Sequence, residues 1–182
     1  MAVKTFTDNT ALPASDINTY LANAGLVYIT SQTIGSAITS ITISNCFSST
    51  YDSYRVIIAN GNASTAGYFL FQFQGGTTSY YGSLYYDFHN ATDTGTIRRS
   101  NGSDLYVGRY SALSYYNSDF NVSGVNNSRP NVSGTYYGNG YAGWFGGVRD
   151  TGSNITVTGI TISPSAGTLT GGTITVYGYR KA

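Results

Sequence analysis

Charged side chains are scarce in this 182-residue sequence. They make up 9% of it, whereas about 25% is usual for a globular domain, and glutamate is absent. Nine Lys and Arg residues against eight acidic residues leave a formal net charge of +1. Because nucleic-acid binding needs a basic surface that displaces counterions, we expect no nucleic-acid partner. The polar surface must come from neutral groups instead, and the sequence supplies 22 Ser, 24 Thr, 15 Asn and 23 Gly.

Cysteine and histidine occur once each, as Cys46 and His89. An intrachain disulfide and a multi-ligand zinc site are therefore both excluded, and we expect no metal and no cofactor. No stretch approaches the roughly 20 apolar residues of a membrane span. Residues 1–10 also lack the basic and apolar regions of a signal peptide. We expect a protein that is made in a cytoplasm and does not insert into a membrane.

Candidates for catalysis are few. Asp-Thr-Gly, the motif with which aspartic proteases present paired carboxylates, begins at Asp93 and again at Asp150. The flanking residues are not the hydrophobic strands of that family, so both copies are interpreted as turns in which the Asp side chain bonds nearby backbone. Asp87 and His89 have the spacing of a general base and its orienting partner, but a histidine beside a turn is more often a surface residue. We predict no catalytic residues and no enzyme.

One short helix is predicted near the start of the chain. Its apolar face would consist of Ile17, Tyr20, Leu21 and Ala24, which recur at helical spacing, and Gly25 would end it. A helix of about ten residues is marginal on its own in water, so this face must pack against another surface. We therefore expect residues 1–25 to form an arm and an attachment helix.

From residue 26 onward the hydrophobic period changes from 3.6 to 2, and turn residues recur about every ten positions. Phe69, Phe71 and Phe73 show the alternation most clearly, because they all point to one face of a strand. Asn121-Val-Ser-Gly recurs as Asn131-Val-Ser-Gly, which favours two adjacent strands with similar turns. We predict an all-β fold, an antiparallel jelly-roll-like β-sandwich over residues 26–182. Its predicted strands are 26–31, 37–44, 54–59, 68–74, 83–89, 105–110, 119–125, 134–137, 143–148, 155–162 and 173–180.

Tyrosine is abundant, with 18 residues that often stand in pairs. In a strand, one member of each pair points inward and the other outward. Tyr interleaved with Ser, Gly and Asn is typical of adaptable recognition surfaces. The candidate contacts to a receptor or glycan are Tyr136, Tyr137, Tyr141 and Trp144. The alternative, in which such residues form the core or subunit contacts, stays open.

The two ends of the sequence resemble a known class of protein. Residues 6–18, Phe-Thr-Asp-Asn-Thr-Ala-Leu-Pro-Ala-Ser-Asp-Ile-Asn, resemble the Phe-x-x-Gly-x-x-Leu-x-Ala-x-Asp-x-Asn start of tailed-bacteriophage virion proteins, with Asn9 or Thr10 where glycine is usual. Residues 171–180, Gly-Gly-Thr-Ile-Thr-Val-Tyr-Gly-Tyr-Arg, resemble the final strand of small jelly-roll modules in the same proteins. The resemblance implies a non-enzymatic virion component, often trimeric, that serves as a head decoration, head fibre or tail fibre.

These observations lead to one functional hypothesis and one alternative. The hypothesis is a structural protein of the virion, made in the host cytoplasm, whose N-terminal segment binds capsid or tail proteins while the sandwich projects outward. The expected attachment residues are Phe6, Leu12, Ile17, Tyr20 and Leu21. The alternative is a receptor- or glycan-binding module that recognises host surface polysaccharide through Tyr-rich loops.

Self-association is also expected. Two Lys and three Pro residues are few to protect the free edges of so many strands, and closed assembly satisfies such edges without forming filaments. The resemblance favours a homotrimer. Its expected contacts include some of Tyr106, Tyr110, Tyr115, Tyr177 and Tyr179.

Overall fold

A computed structural model describes residues 25–89 and 93–180. These residues form thirteen strands and no helix. The strands are β1 (Leu26–Thr33), β2 (Ile41–Ile43), β3 (Tyr51–Ala63), β4 (Gly67–Phe73), β5 (Tyr80–Phe88), β6 (Gly95–Gly102), β7 (Leu105–Tyr110), β8 (Tyr115–Ser123), β9 (Asn131–Gly138), β10 (Tyr141–Arg149), β11 (Ile160–Pro164), β12 (Leu169–Thr170) and β13 (Thr173–Arg180).

The strands form two antiparallel sheets. The large sheet has the order β1-β13-β3-β8-β9-β10-β5-β6, with the short β12 also paired to β3. The small sheet has the order β2-β11-β4-β7. The prediction of an all-β sandwich is confirmed. The predicted arm and helix, with Phe6, Leu12, Ile17, Tyr20 and Leu21, lie outside the described residues. Within the described ranges, the chain contains no helix with the length and apolarity of a membrane span.

Aromatic side chains fill the space between the sheets. Phe69, Phe71 and Phe73 on β4 are fully buried, as their alternation predicts. Phe69 stacks on Tyr116 of the large sheet with ring centroids 3.9 Å apart, and Phe71 meets Phe120 edge-on at 5.8 Å. Each fully buried side chain of this size contributes about 1.5–3 kcal/mol to folding. The inner faces of both sheets therefore hold the sandwich together.

The Asn-Val-Ser-Gly repeat lies on neighbouring strands, as predicted. β8 and β9 pair so that Val122 is opposite Val132, and Asn121 is opposite Ser133. The two valines are buried. Because the strands are antiparallel, the two copies are related by a local twofold axis and bury the same residue.

Several strand predictions need correction. The two-residue β12 was not predicted, and β3, β5, β8 and β9 begin three or four residues earlier than predicted. Strand β6 was missed because it is a polar edge strand in which Ile97 is the only large apolar residue. The stretch predicted at 37–44 is shortened to β2. Ala37 has a φ of 53°, outside the β region, and Ile38 forms only an isolated bridge with Leu169. The stretch predicted at 155–162 begins only at Ile160, since the amide of Val157 donates to the carbonyl of Val125 in a loop instead.

Candidate functional site

The four predicted contact residues divide into two pairs. Tyr137 and Trp144 are 58% and 55% exposed, whereas Tyr136 and Tyr141 are 4% and 9% exposed. The reason is the alternation of β9 and β10, which directs neighbouring residues to opposite faces. The predicted set of receptor or glycan contacts therefore loses Tyr136 and Tyr141, which lie in the interior. Tyr137 and Trp144 remain, on the outer face of the large sheet.

Trp144 and Tyr85 form a stacked aromatic pair, which we call the platform. The two residues are direct cross-strand partners in β10 and β5, and their rings stack with centroids 5.8 Å apart and planes 19° apart. The sequence analysis did not select Tyr85. The missing information was the pairing register, because Tyr85 and Trp144 are 59 residues apart in the sequence and only the β5–β10 pairing brings them together.

Small residues lie beside this platform. One step along the outer face, Gly146 pairs with Ser133 on one side and with Ser83 on the other. A Cβ atom built on Gly146 would meet nothing closer than 3.8 Å, so there is free space above this position. Next to it, a surface depression of about 440 Å³ runs along β5 and β6. The trough begins at Ser83, one step from Tyr85 along the outer face, and Ser83 and Ser100 contribute hydroxyl groups to its lining.

Arg98 stands at the edge of the trough. It is opposite Ser83 in the register of β5 and β6, is exposed, and lines the depression together with Tyr81. Among the described residues, its side chain makes neither a hydrogen bond nor an ion pair. Four other arginines, by contrast, each contact a carboxylate: Arg55 with Asp119, Arg99 with Asp104, Arg109 with Asp93, and Arg129 with Asp150.

Tyr141 takes part in a second cluster, on the inner side of the large sheet. Its hydroxyl donates to Asp93 Oδ2 at 2.7 Å, and burial together with this hydrogen bond raises the pKa of Tyr141. Asp93 also pairs with Arg109, whose guanidinium carbon lies 4.3 Å from the ring centroid of Tyr86 and 4.6 Å from that of Tyr141. Arg109 belongs to β7 of the small sheet, so the cluster joins the two sheets.

The catalytic candidates considered in the sequence, Asp150 and the pair of Asp87 and His89, have contacts typical of structural residues. The amide of Gly152 donates to Asp150 Oδ1 at 3.1 Å, which confirms the turn predicted for the second Asp-Thr-Gly copy. The amide of His89 donates to the carbonyl of Gly140 at 2.9 Å, and the His89 ring lies against Phe88. In the part of the chain that the structure describes, no hydrogen bond joins Asp87 to His89.

Metal-binding groups do not converge in the described ranges, where no three of the His, Cys and Asp side chains are grouped closely enough to hold an ion. Cys46 is buried, and burial raises the pKa of its thiol to about 12. Because the thiolate is the nucleophile and the metal ligand, Cys46 is a packing residue.

Comparison with known proteins identifies no family. No protein-family model matches the sequence, and no curated protein is significantly similar to it. Among solved structures, the carbohydrate-binding module CBM66 from Bacillus subtilis aligns with 85% of this chain and 93% of its own, at 9% identity and a TM-score of 0.20.

Proposed function

We propose that the protein is a non-enzymatic structural component of a bacteriophage virion, made in the host cytoplasm. Residues 1–25 would attach it to capsid or tail proteins, and residues 26–182 would form a jelly-roll-like sandwich that is displayed outward as a head decoration or as part of a fibre. No membrane insertion and no nucleic-acid contact are part of this proposal.

The distribution of functional groups in the sandwich carries the proposal. Asp93, Asp104, Asp119 and Asp150 are each engaged with an arginine, and Asp93 ties one sheet to the other. The outer face of the large sheet presents mainly Ser, Thr, Asn and aromatic side chains. Such a sandwich suits display and contact. The resemblance of residues 6–18 to the start of tailed-phage virion proteins supplies the location.

The test is incorporation into particles. A chain without residues 1–25 should keep the circular dichroism of a folded sandwich and should no longer co-purify with virions. A chain with Ile17→Asp and Leu21→Asp should behave in the same way, whereas Ser133→Asp on the sandwich should still be incorporated. Wild-type incorporation of the shortened chain would overturn the attachment role, and electron microscopy of labelled virions distinguishes head from tail.

A second candidate function, glycan binding, is favoured by one observation: the exposed Trp144 stacks on the half-buried Tyr85 beside a trough. Such flat amphipathic rings suit the C–H face of a sugar, because the negative face of the ring attracts polarised C–H groups. Replacing Trp144 by Ala should abolish binding to host polysaccharide, whereas Tyr28→Ala, an equally exposed aromatic at the far edge of the same sheet, should not.

A further inference from the structure

We propose that the Trp144–Tyr85 platform takes an anionic sugar, and that Arg98 binds the carboxylate or phosphate of that sugar. This inference rests on the second candidate function, glycan binding, and names the class of ligand. It is carried by three features of one surface: a stacked ring pair, an adjoining trough, and a cation without a partner among the described residues.

The platform and the trough together fit a sugar ring better than a flat protein contact. The rings of Trp144 and Tyr85 stack nearly parallel, and Trp144 is 55% exposed, so the pair offers aromatic surface to a ligand. Gly146, one step along β10, removes a side chain where a ligand lying against the rings would extend. Hydroxyl groups of Ser83 and Ser133 flank that position in the register of the sheet. Small-ligand sites combine apolar walls with a few placed polar groups in this way.

Arg98 is within reach of a ligand on the platform. It is opposite Ser83, and Tyr85 is its diagonal neighbour across the β5–β6 pair. Diagonal cross-strand neighbours have Cα atoms about 7–8 Å apart, which long side chains span. Arg98 lines the trough together with Ser83, and Ser83 is one step from Tyr85 along the outer face.

The exposed guanidinium of Arg98, which has no side-chain partner among the described residues, indicates the charge of the ligand. The carboxylate-bound arginines at positions 55, 99, 109 and 129 are already neutralised. Arg98 is exposed, and no described side chain pairs with it. A guanidinium presents parallel N–H donors that form bidentate hydrogen bonds with a carboxylate or a phosphate. The site is thus complementary to one negative charge.

Asp87 sets the orientation of the ligand. It lies two residues from Tyr85 on the same outer face, opposite Ala142, at the end of the platform away from Arg98. A carboxylate accepts hydrogen bonds from sugar hydroxyls and repels a second anion. The anionic group should therefore lie toward Arg98 and the hydroxyl-rich side toward Asp87.

Trp144 provides the readout, because it is the only tryptophan in the sequence and forms the platform. We would titrate the full chain with oligogalacturonate, with sialyl oligosaccharide and with a phosphorylated oligosaccharide, following tryptophan fluorescence excited at 295 nm. The matched neutral probes are the methyl esters of the two acids and the dephosphorylated oligosaccharide. At least one anionic probe should bind about tenfold or more tightly than its neutral analogue, which corresponds to one hydrogen-bonded charge.

Variants test glycan binding by the platform and anion binding by Arg98 separately. Arg98→Gln should reduce the affinity for the anionic probe to that of the neutral one and leave the neutral affinity unchanged. Arg129→Gln is the control, since it removes the same charge from an exposed pair elsewhere and should change neither. Trp144→Phe should keep binding, measured by calorimetry, and Trp144→Ala should abolish it.

The outcomes distinguish the role of Arg98 from glycan binding itself. Equal binding of anionic and neutral probes, or an unchanged affinity in Arg98→Gln, would overturn the role of Arg98 while glycan binding stands. No binding of any probe at millimolar concentration would overturn the glycan platform as well. Virion incorporation is measured separately, so neither result bears on the attachment role of residues 1–25.

Discussion

Arg109 and Asp93 join the two sheets through a bidentate ion pair. Arg109 Nη2 lies 2.7 Å from Asp93 Oδ2, and Nη1 donates to Oδ1 at 3.1 Å. Arg109 lies in β7 of the small sheet, while Asp93 precedes β6 of the large sheet and receives a further hydrogen bond from Tyr141. The pair therefore couples the β5–β6 connection to the body of the sandwich.

Breaking this pair should destabilise the protein. We expect Asp93→Asn to lower the free energy of unfolding by about 1–2 kcal/mol, because a hydrogen bond to a charged group contributes about 1.5–3 kcal/mol and partial exposure of Asp93 reduces that. For a chain of this size, the melting temperature should fall by about 2–8 °C. Thermal and urea unfolding measure both quantities.

The control is the exposed pair of Arg129 and Asp150, in which Arg129→Gln should cost at most about 1 kcal/mol. A double-mutant cycle on Asp93→Asn and Arg109→Gln isolates the coupling. A coupling energy near zero would mean that the pair does not join the sheets energetically.

Glycines in β10 differ sharply in what they tolerate. A Cβ on Gly143 would lie 2.0 Å from the carbonyl oxygen of Tyr85, whereas one on Gly146 would meet nothing closer than 3.8 Å. Gly143→Ala should therefore destabilise the protein by about 3 kcal/mol or more through overpacking against backbone. Gly146→Ala should stay within about 0.5 kcal/mol of the wild type, as measured by urea unfolding. Equal effects of the two substitutions would contradict the register of β10 against β5.

Two neighbouring tyrosines should have opposite roles. Tyr136 is buried against Tyr116, with ring centroids 6.0 Å apart, and Tyr137 is exposed on the outer face. Tyr136→Ala should cost about 3–5 kcal/mol because it empties part of the core, and Tyr137→Ala should leave stability almost unchanged. Unfolding of the two variants tests this, and a large stability loss in Tyr137→Ala alone would contradict the assignment of faces.

The buried tyrosines predict a limit to alkaline stability. Burial raises the pKa of Tyr80 and of Tyr110 to about 12, and raises the pKa of Tyr116 and of Tyr136 as well. The folded state thus favours the neutral phenols. This contribution is fully present below about pH 10, the ordinary pKa of tyrosine, and is lost as the pH rises through 12.

Absorbance at 295 nm against pH, recorded with circular dichroism, checks this expectation. Part of the tyrosine signal should appear only together with loss of the fold, and the denatured protein should titrate in a single step near pH 10. Complete ionisation of all tyrosines below pH 11 with the fold intact would contradict it.

The fold was predictable wherever alternation is strong. Phe69, Phe71 and Phe73 in β4, or Ile174 and Val176 in β13, identify a strand and its buried face because a period of two is unambiguous. Strand β6 gives no such signal, because an edge strand needs little apolar surface. It is held by its pairing with β5, and pairing is a property of the whole sheet.

The candidate site was predictable only in part. Trp144 and Tyr137 stand out by residue type, but which tyrosine of a pair faces outward depends on the strand phase. Tyr85 and Arg98 join the same surface through cross-strand register, which depends on turns and core packing far away in the sequence. Sequence reasoning therefore identifies the kind of surface, and the pairing of β5, β6 and β10 determines its members.

Subunit contacts give the last prediction, a homotrimer. Of the five expected contacts, Tyr110 is excluded, because it is 1% exposed and its ring packs against Phe69 at 4.8 Å. Tyr115 is exposed, and Tyr106, Tyr177 and Tyr179 are partly so. Strands β1 and β6 also leave the two edges of the large sheet without a partner strand in the described residues.

A specific interface should bury at least about 1,000 Å² per pair of subunits. Light scattering across a hundredfold dilution should give three times the chain mass of 19.4 kDa. Tyr115→Asp should weaken assembly, whereas Tyr81→Asp, at the opposite end of the strands of the large sheet, should not. A constant mass of one chain would refute self-association, and a stable dimer would refute the threefold.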